Sequence, residues 1–252
     1  MEKSEDTVLY LNQVNKNYEK LQVLNQVSFY VNEGEFVTLL GPSGSGKSTI
    51  FRIITGLTET DSGELKINTP FHSSGKNKIA YMPQKDTLLP WKKLKDNIAL
   101  PLILKGIKKE EAWEKVKELI PVFGLEGFEE YYPQQLSGGM KQRAALMRTF
   151  LTDSNLMLLD EPFASLDAIT RTNLQEWLLE VWQKFNRSVL FVTHSIEEAI
   201  YLSDRIYVLS KQPGEIILEL EIKLPRPRKS EIMTSAEFNN YREILYKALR
   251  GN

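Results

Sequence analysis

The chain has 252 residues, of which 42% are hydrophobic, so it can bury a substantial core as one large domain or as one domain carrying an inserted subdomain. It contains no cysteine and only two histidines, His72 and His194, which excludes disulfide bonds and a Cys/His zinc site. With 32 Lys+Arg against 33 Asp+Glu the net charge is −1, so we expect no nucleic-acid partner.

The sequence shows no membrane-directed segment. Residues 1–6 are polar and acidic and lead into no long apolar run, which is unlike a secretory signal. The longest candidate for a membrane span, 98–104, is too short and contains Pro101. We therefore expect a cytoplasmic chain that meets a membrane only through partner subunits.

The region before the first glycine-rich stretch is predicted to form strands. Short apolar segments at 8–11, 27–31 and 35–39 are separated by Asn-rich turns, a pattern that predicts antiparallel strands leading into the next motif. Tyr18 lies in this region, and its ring can stack on an adenine. Taken alone, Tyr18 is more simply explained as a core or surface aromatic.

A glycine-rich turn lies between the apolar run 36–40 and the helix-like segment 49–54. Its glycines let successive backbone N–H groups curl around an anion, and the following helix adds its positive N-terminus. Lys47 can reach the outer phosphates, and the Ser48 hydroxyl can bind Mg²⁺. An ordinary glycine-rich turn is the alternative, which the flanking strand and helix disfavour. We predict a nucleoside triphosphate held by Gly41, Pro42, Ser43, Gly44, Ser45, Gly46, Lys47, Ser48 and Thr49.

Two further strands are predicted, at 61–67 and 78–84, with a polar loop between them in which we expect His72 to be solvated. The second strand ends at Gln84, whose amide can touch a metal ion or an attacking water. Taken alone, Gln84 is better explained as a polar residue at a strand end.

From residue 91 to residue 151 the pattern becomes helical and interrupts the α/β alternation. Apolar residues recur at helical spacing in 111–123, where Glu111 and Lys115 form a favourable i,i+4 pair and Pro121 is expected to distort the helix end. The interruption predicts a helical subdomain.

A serine and two glycines close the helical region, immediately before another predicted helix. A helix start of this kind presents free N–H groups that suit an anion, although Ser-Gly-Gly also serves as a simple cap. The three residues are Ser137, Gly138 and Gly139.

Two carboxylates follow the apolar strand predicted at 156–160. Buried strands carry their acids at the carboxyl end, where open α/β sheets bind ligands. Asp160 suits a metal shell, and Glu161 suits a base acting on water. Asp167 follows and precedes a helix whose tryptophans we interpret as core residues.

A second buried strand is predicted at 189–193, with His194 at its end. His194 is well placed to contact a terminal phosphate, although an isolated histidine is more often structural. After the last strands comes a basic, proline-broken linker at 224–229. The tail beyond it has apolar residues at helical spacing, which predicts a helix packed onto the body.

In their order and spacing these motifs resemble the ATP-binding subunit of ABC transporters, up to about residue 222. Met140 departs from the glutamine that many members carry after the signature, which puts only fine geometry in doubt. The matching motifs are the adenine-stacking Tyr18, Walker A at 41–49, the Q-loop Gln84, the signature at 136–139, Walker B at 156–160 with Glu161, the D-loop with Asp167, and the switch His194.

The resemblance implies an α/β fold, namely a P-loop NTPase with a RecA-like core, an antiparallel β subdomain and an inserted helical subdomain at about 88–152. The ATP-binding domain would span 1–222 and a short tail 223–252. Two copies, forming a homodimer, would clamp two ATP molecules between them. The residues implied to bind nucleotide near this interface are Ser137, Gly138, Gly139 and Asp167.

The resemblance also implies roles within the site, with ATP and Mg²⁺ as ligands. Lys47 and the loop amides would hold the phosphates, while Ser48, Gln84 and, through water, Asp160 would hold Mg²⁺. Glu161 would polarise the attacking water and His194 would stabilise the transferring phosphoryl group, so that catalysis is mostly positioning and electrostatics.

The implied partners are a transmembrane permease and, indirectly, an extracytoplasmic solute-binding protein, which would place the chain at the cytoplasmic face of the membrane. Segments 88–91 and 224–228 resemble importers of the nitrate, sulfonate and taurine group, which includes thiamine-precursor pyrimidine systems. Three alternatives remain: a soluble ABC-type ATPase without a transport partner, a P-loop small-molecule kinase, and a non-hydrolysing nucleotide sensor.

Overall fold

The computed structural model describes residues 6–68, 79–152 and 154–251, and His72 lies outside these ranges. The helices, in chain order, are α1 (Lys47–Ile54), α2 (Leu94–Leu104), α3 (Lys109–Phe123), α4 (Gly138–Phe150), α5 (Ala168–Phe185), α6 (Ile196–Leu202) and α7 (Ala236–Arg250). The strands are β1 (Thr7–Tyr18), β2 (Leu21–Asn32), β3 (Phe36–Leu40), β4 (Ser62–Ile67), β5 (Ile79–Met82), β6 (Leu156–Asp160), β7 (Ser188–Thr193), β8 (Arg205–Leu209) and β9 (Ile216–Glu221).

A six-stranded sheet in the order β5-β6-β7-β3-β8-β9 forms the centre of the fold. Its strands are parallel except for β9, which runs antiparallel to β8. Every residue of β3, β6 and β7 is buried, as expected for strands covered on both faces. Because these strands run in the same direction, the segments that follow them emerge at one edge of the sheet.

A second sheet is antiparallel, with the order β2-β1-β4. The prediction that the strand at 35–39 belongs to this antiparallel group was wrong, because β3 lies between β7 and β8 in the parallel sheet. The reason is its continuous apolar sequence, which suits a strand buried on both faces better than one with a solvated face.

The helices α2, α3 and α4 lie between β5 and β6 in the chain and pack on one another, which confirms the helical region. In α3 the Nζ of Lys115 is 3.2 Å from Oε1 of Glu111, as predicted. Pro121 falls in the last turn of α3, which continues to Phe123. The proposed limits of a helical subdomain, 88–152, stay a prediction.

The tryptophans of α5 are partly buried and pack against the core, in line with the prediction. The Trp182 ring packs edge-on against Phe36, with 5.7 Å between ring centroids, and the Trp177 ring packs against Phe123 at 5.4 Å. The helix therefore covers both the central sheet and the helical region. Within the described ranges, no helix is both long and apolar enough to cross a membrane.

The C-terminal segment is fixed to the body by Arg228, which is only 4% exposed. Its guanidinium lies at the carboxyl end of α6, where positive charge is favourable. Burial lowers the pKa of Arg228 to about 10, so the side chain stays charged at neutral pH. It donates hydrogen bonds of 2.8 to 3.4 Å to the backbone carbonyls of Ile200, Tyr201, Ser203, Ile222 and Leu224. The segment predicted as a linker is thus packed against the body, and α7 follows it as predicted.

Arg228→Met removes the buried guanidinium and leaves these carbonyls without their donor. Because a hydrogen bond to a charged group contributes about 1.5–3 kcal/mol, we expect the free energy of unfolding to fall by roughly 3 kcal/mol in urea titrations. Lys229→Met, at the exposed neighbouring position, is the control and should change it by less than about 0.5 kcal/mol. Equal stability of the two variants would contradict this account of the C-terminal segment.

Candidate functional site

The glycine-rich loop joins β3 directly to α1, whose first residue is Lys47. The residue before it, Gly46, has φ +92°, a left-handed conformation that favours glycine. A Cβ atom there would lie 2.5 Å from Cδ2 of Leu24, so packing against β2 also excludes a side chain. The local sequence therefore produces a tight turn whose backbone N–H groups lead into a helix N-terminus, as an anion site requires.

Lys47 is folded back into this loop and is only 5% exposed. Its Nζ donates to Gly41 O at 2.8 Å, to Pro42 O at 2.7 Å and to the Ser45 Oγ at 3.3 Å. Burial lowers the pKa of Lys47, while the nearby carboxylates act in the opposite direction. A buried ammonium of this kind is complementary to a polyanion such as a phosphate chain.

Asp160 is the last residue of β6 and is buried. Burial raises the pKa of its carboxyl, whereas the hydrogen bond from Tyr81 opposes that shift. The Tyr81 hydroxyl donates to Oδ2 of Asp160 at 3.3 Å, and burial raises the pKa of Tyr81 to about 12. Tyr81 was not predicted as a site residue, and an aromatic in a strand gives no signal of this contact.

Glu161 contacts two other predicted site residues, Gln84 and His194. Its φ is +43°, an uncommon conformation for a residue other than glycine, and its N–H donates to Val192 O at 3.0 Å. Oε2 of Glu161 accepts a hydrogen bond from Nε2 of Gln84 at 3.3 Å and lies 3.3 Å from Nδ1 of His194. One carboxylate oxygen therefore joins the ends of β5, β6 and β7.

Glu198, which was not predicted, holds the loop that carries His194. Its Oε2 accepts the Thr193 hydroxyl at 2.5 Å and its Oε1 accepts the Gln175 amide at 3.2 Å. Burial raises the pKa of Glu198. The spacing from Ser195 to Glu198 predicts a capping box. Only half of it forms, because the carboxylate turns inward to Thr193 instead of reaching the Ser195 N–H.

Lys47, Gln84 and Glu161 border one open cleft. Most of the predicted phosphate loop lines the cleft, while Gly41, Pro42 and Ser45 accept hydrogen bonds from the Lys47 ammonium. The cleft is lined by Val23, Ser43, Gly44, Gly46, Lys47, Ser48, Thr49, Gln84, Glu161 and Gln212. Val23 and Gln212 were not predicted.

Besides Gly41, Pro42 and Ser45, seven predicted residues are not among those that line this cleft. Asp160 precedes the lining residue Glu161 in the chain, and His194 contacts Glu161. The remaining five lie elsewhere. Tyr18 lies at the end of β1, is 41% exposed and has Lys16 Nζ 5.6 Å from its ring centroid. The others lie at the starts of α4 and α5, two helices that pack together. These four residues are Ser137, Gly138, Gly139 and Asp167.

Both helix starts carry a side-chain cap. Oγ of Ser137 accepts the Met140 N–H at 3.3 Å, and Oδ1 of Asp167 accepts the Thr170 N–H at 3.0 Å. The capping alternative for Ser137 is thus present in the structure. The cap does not test the predicted contact with a nucleotide on a second subunit, because Gly138 and Gly139 also belong to that contact.

The donor set suits Mg²⁺ rather than a metal held by protein ligands alone. Across the described parts of the chain, no group of three or more His, Cys, Asp or Glu side chains could hold a metal ion. Ser48, Gln84 and Asp160 instead offer a hydroxyl, an amide and a carboxylate, which are oxygen donors of the kind that Mg²⁺ takes. That ion keeps several waters and binds substrate phosphates besides one or two protein ligands.

Comparison with known proteins identifies the family. The family model described as ABC transporter matches residues 24–164. The aliphatic sulfonates import ATP-binding protein SsuB of Bacillus cereus (strain ZK / E33L) is 43% identical over 244 residues, which cover 95% of this chain and 94% of the relative. The formylaminopyrimidine import ATP-binding protein ThiZ of Halalkalibacterium halodurans is 45% identical over 228 residues, 90% of this chain and 88% of the relative.

A solved structure agrees with these relatives. The dimeric post-hydrolysis state of the ATP-binding cassette MJ0796, bound to ADP and Pi, superimposes with a TM-score of 0.72 at 30% identity. It covers 86% of this chain and 100% of the MJ0796 chain. The predicted family and fold class are confirmed: the chain belongs to the ABC transporter family and is an ATP-hydrolysing subunit of that class.

Proposed function

We propose that the cleft binds Mg·ATP and that its residues act as the family resemblance implies. The observation that carries this proposal is that Gln84 and His194 contact the Glu161 carboxylate at a cleft that Lys47 also lines. Lys47 and the loop amides hold the phosphates. Ser48, Gln84 and Asp160 are the residues that would hold Mg²⁺, which would neutralise charge at the phosphates.

Within this site Glu161 is the group that polarises the attacking water. Its backbone conformation and its contacts with Gln84 and His194 fix the carboxylate at the cleft, so little reorganisation is needed during turnover. His194 donates to the transferring phosphoryl group. Catalysis then depends on positioning and electrostatics, with ADP and phosphate as products.

We further propose that two copies of the chain share their nucleotide sites. The starts of α4 and α5 lie together but do not line the chain's own cleft. In a head-to-tail pair, Ser137, Gly138, Gly139 and Asp167 of one copy would complete the cleft of the other, and the α4 N-terminus would favour the terminal phosphate. The dimer should therefore depend on the intact triphosphate.

Glu161→Gln keeps the size and hydrogen-bonding capacity of the side chain but removes the carboxylate. We expect it to bind ATP without turnover and to sediment as an ATP-bound dimer with Mg·ATP. Adding Ser137→Arg places a bulky side chain at the shared surface and should return the protein to a monomer.

Ser137→Ala is the matched control, because it loses the same helix cap, worth about 1 kcal/mol, without adding bulk. In the Glu161→Gln background it should dimerise more strongly than the Ser137→Arg variant, because the helix N-terminus and the two glycines stay accessible. A monomeric Glu161→Gln variant with demonstrated ATP binding, or an unaltered dimer after Ser137→Arg, would refute the shared-site model.

The segment after Gln84 is the surface that we propose for a membrane permease. Arg148 of α4 donates to Asp86 O at 3.0 Å and to Thr87 O at 2.9 Å, and Asn97 of α2 holds Leu89 through its side-chain amide. Nucleotide contacts at Gln84 are thereby linked to the helical region.

Within this apolar segment the exposure varies. Leu88 is buried and Leu89 half-buried, in line with the alternative of internal packing, but Trp91 is 71% exposed. Trp91 is therefore the residue that a partner can cover. A permease bound here would hold the chain at the cytoplasmic face of a membrane.

For the transported molecule we propose a small nitrogen- or sulfur-containing nutrient, imported with the help of a solute-binding protein. Support comes from the sulfonate and formylaminopyrimidine import relatives, whose similarity extends over nearly the whole chain. Nitrate and taurine belong to the same expected group.

Uptake assays test the partner and the cargo together. In a strain that lacks this gene we expect loss of uptake of one substrate among sulfonates, nitrate, taurine and formylaminopyrimidine, restored by the parent chain but not by Trp91→Glu. Purified Trp91→Glu should still hydrolyse ATP. Leu104→Glu, at another exposed apolar position of the helical region that is 78% exposed, is the control and should restore uptake.

Uptake at the parent level with Trp91→Glu would contradict the permease surface. Unchanged uptake of all four substrates in the deletion strain would contradict the cargo. If, in addition, the chain failed to co-purify with membranes, the alternative of a soluble ABC-type ATPase would be favoured.

A further inference from the structure

One wall of the nucleotide cleft is formed by residues outside the motifs that identify the family. Val23 of β2 and Gln212 of the β8–β9 hairpin line the cleft together with Lys47 and Glu161. Gln212 is also a polar side chain on an exposed turn. It is therefore accessible to a ligand in the cleft.

Backbone contacts fix the hairpin against the phosphate loop. The Gly214 N–H donates to Val23 O at 2.9 Å. A Cβ atom at Gly214 would lie 2.1 Å from Ser45 O, so the two backbones are in direct contact. Gln212, two residues before Gly214, is consequently held at a defined distance from the loop.

The Gln212 side chain is directed toward the β1–β2 hairpin. Its Nε2 donates to Gln22 O at 3.4 Å, and Gln22 is paired with Asn17, next to Tyr18. Tyr18, whose ring is proposed to stack on adenine, therefore lies near the contact between Gln212 and Gln22. Lys47 belongs to the phosphate loop, which the same β8–β9 hairpin contacts. A nucleotide that reaches both has its ribose between them.

We propose that Gln212 binds the ribose hydroxyls and discriminates ribonucleotides from deoxyribonucleotides. A glutamine amide both donates and accepts, which matches a hydroxyl that does the same. The bond to Gln22 O is long and exposed, so the amide can exchange it for a ligand at little cost. This inference rests on the proposed function, since it requires a nucleotide in the cleft.

Calorimetric titration with ADP, 2′-deoxy-ADP and 3′-deoxy-ADP tests the proposal, because ADP avoids turnover and ATP-dependent pairing. The parent chain should bind at least one deoxy analogue roughly three- to tenfold more weakly than ADP, the range of one net hydrogen bond. Gln212→Ala should bind that analogue and ADP equally. Lys211→Ala, at an exposed neighbouring position that is not among the cleft-lining residues, is the control and should keep the parent's discrimination.

Gln212→Asn, which shortens the side chain by one methylene, is a second variant and should also lose the discrimination. Thermal unfolding midpoints equal to the parent's would show that both variants fold. Full discrimination in folded Gln212→Ala, or none in the parent, overturns the inference and leaves nucleotide binding intact. A parent chain that binds none of the three nucleotides overturns the proposed function instead.

Discussion

The buried ammonium of Lys47 is the constraint around which the site is organised. It is held by carbonyls of its own loop, and burial disfavours its charged form unless negative charge lies nearby. Asp160 and Glu161 supply part of that charge from β6. In the proposed function a phosphate chain in the cleft would supply the remainder, so nucleotide binding would also stabilise the charged form of Lys47.

The parallel sheet brings distant parts of the chain together at one edge. The loop after β3, the carboxylates at the end of β6 and His194 after β7 come from three strands that lie side by side in the sheet. Because β3, β6 and β7 are buried on both faces, they tolerate little movement. The left-handed conformation of Glu161 then sets the carboxylate where Gln84 and His194 meet it.

Much of this site could be predicted because each motif is local in sequence and the motifs follow a fixed order. The pairing of strands, by contrast, joins segments that are far apart in sequence. An apolar five-residue segment such as β3 therefore fits either sheet until its neighbouring strands are known. The burial of Arg228 and the inward turn of Glu198 depend on carbonyls and hydroxyls supplied by other segments. Gln212 has no motif, and only the contact between its hairpin and the phosphate loop reveals it.

The most direct test of the central claim compares the parent with Lys47→Ala, using Lys66→Ala on β4 as the control. We expect all three to fold, and thermal unfolding of the parent and of Lys66→Ala to shift upward with ADP while that of Lys47→Ala does not. ATP hydrolysis should be lost only in Lys47→Ala. If that variant is stabilised by ADP as strongly as the parent and hydrolyses Mg·ATP at the parent rate, the buried ammonium is not the group that holds the phosphates.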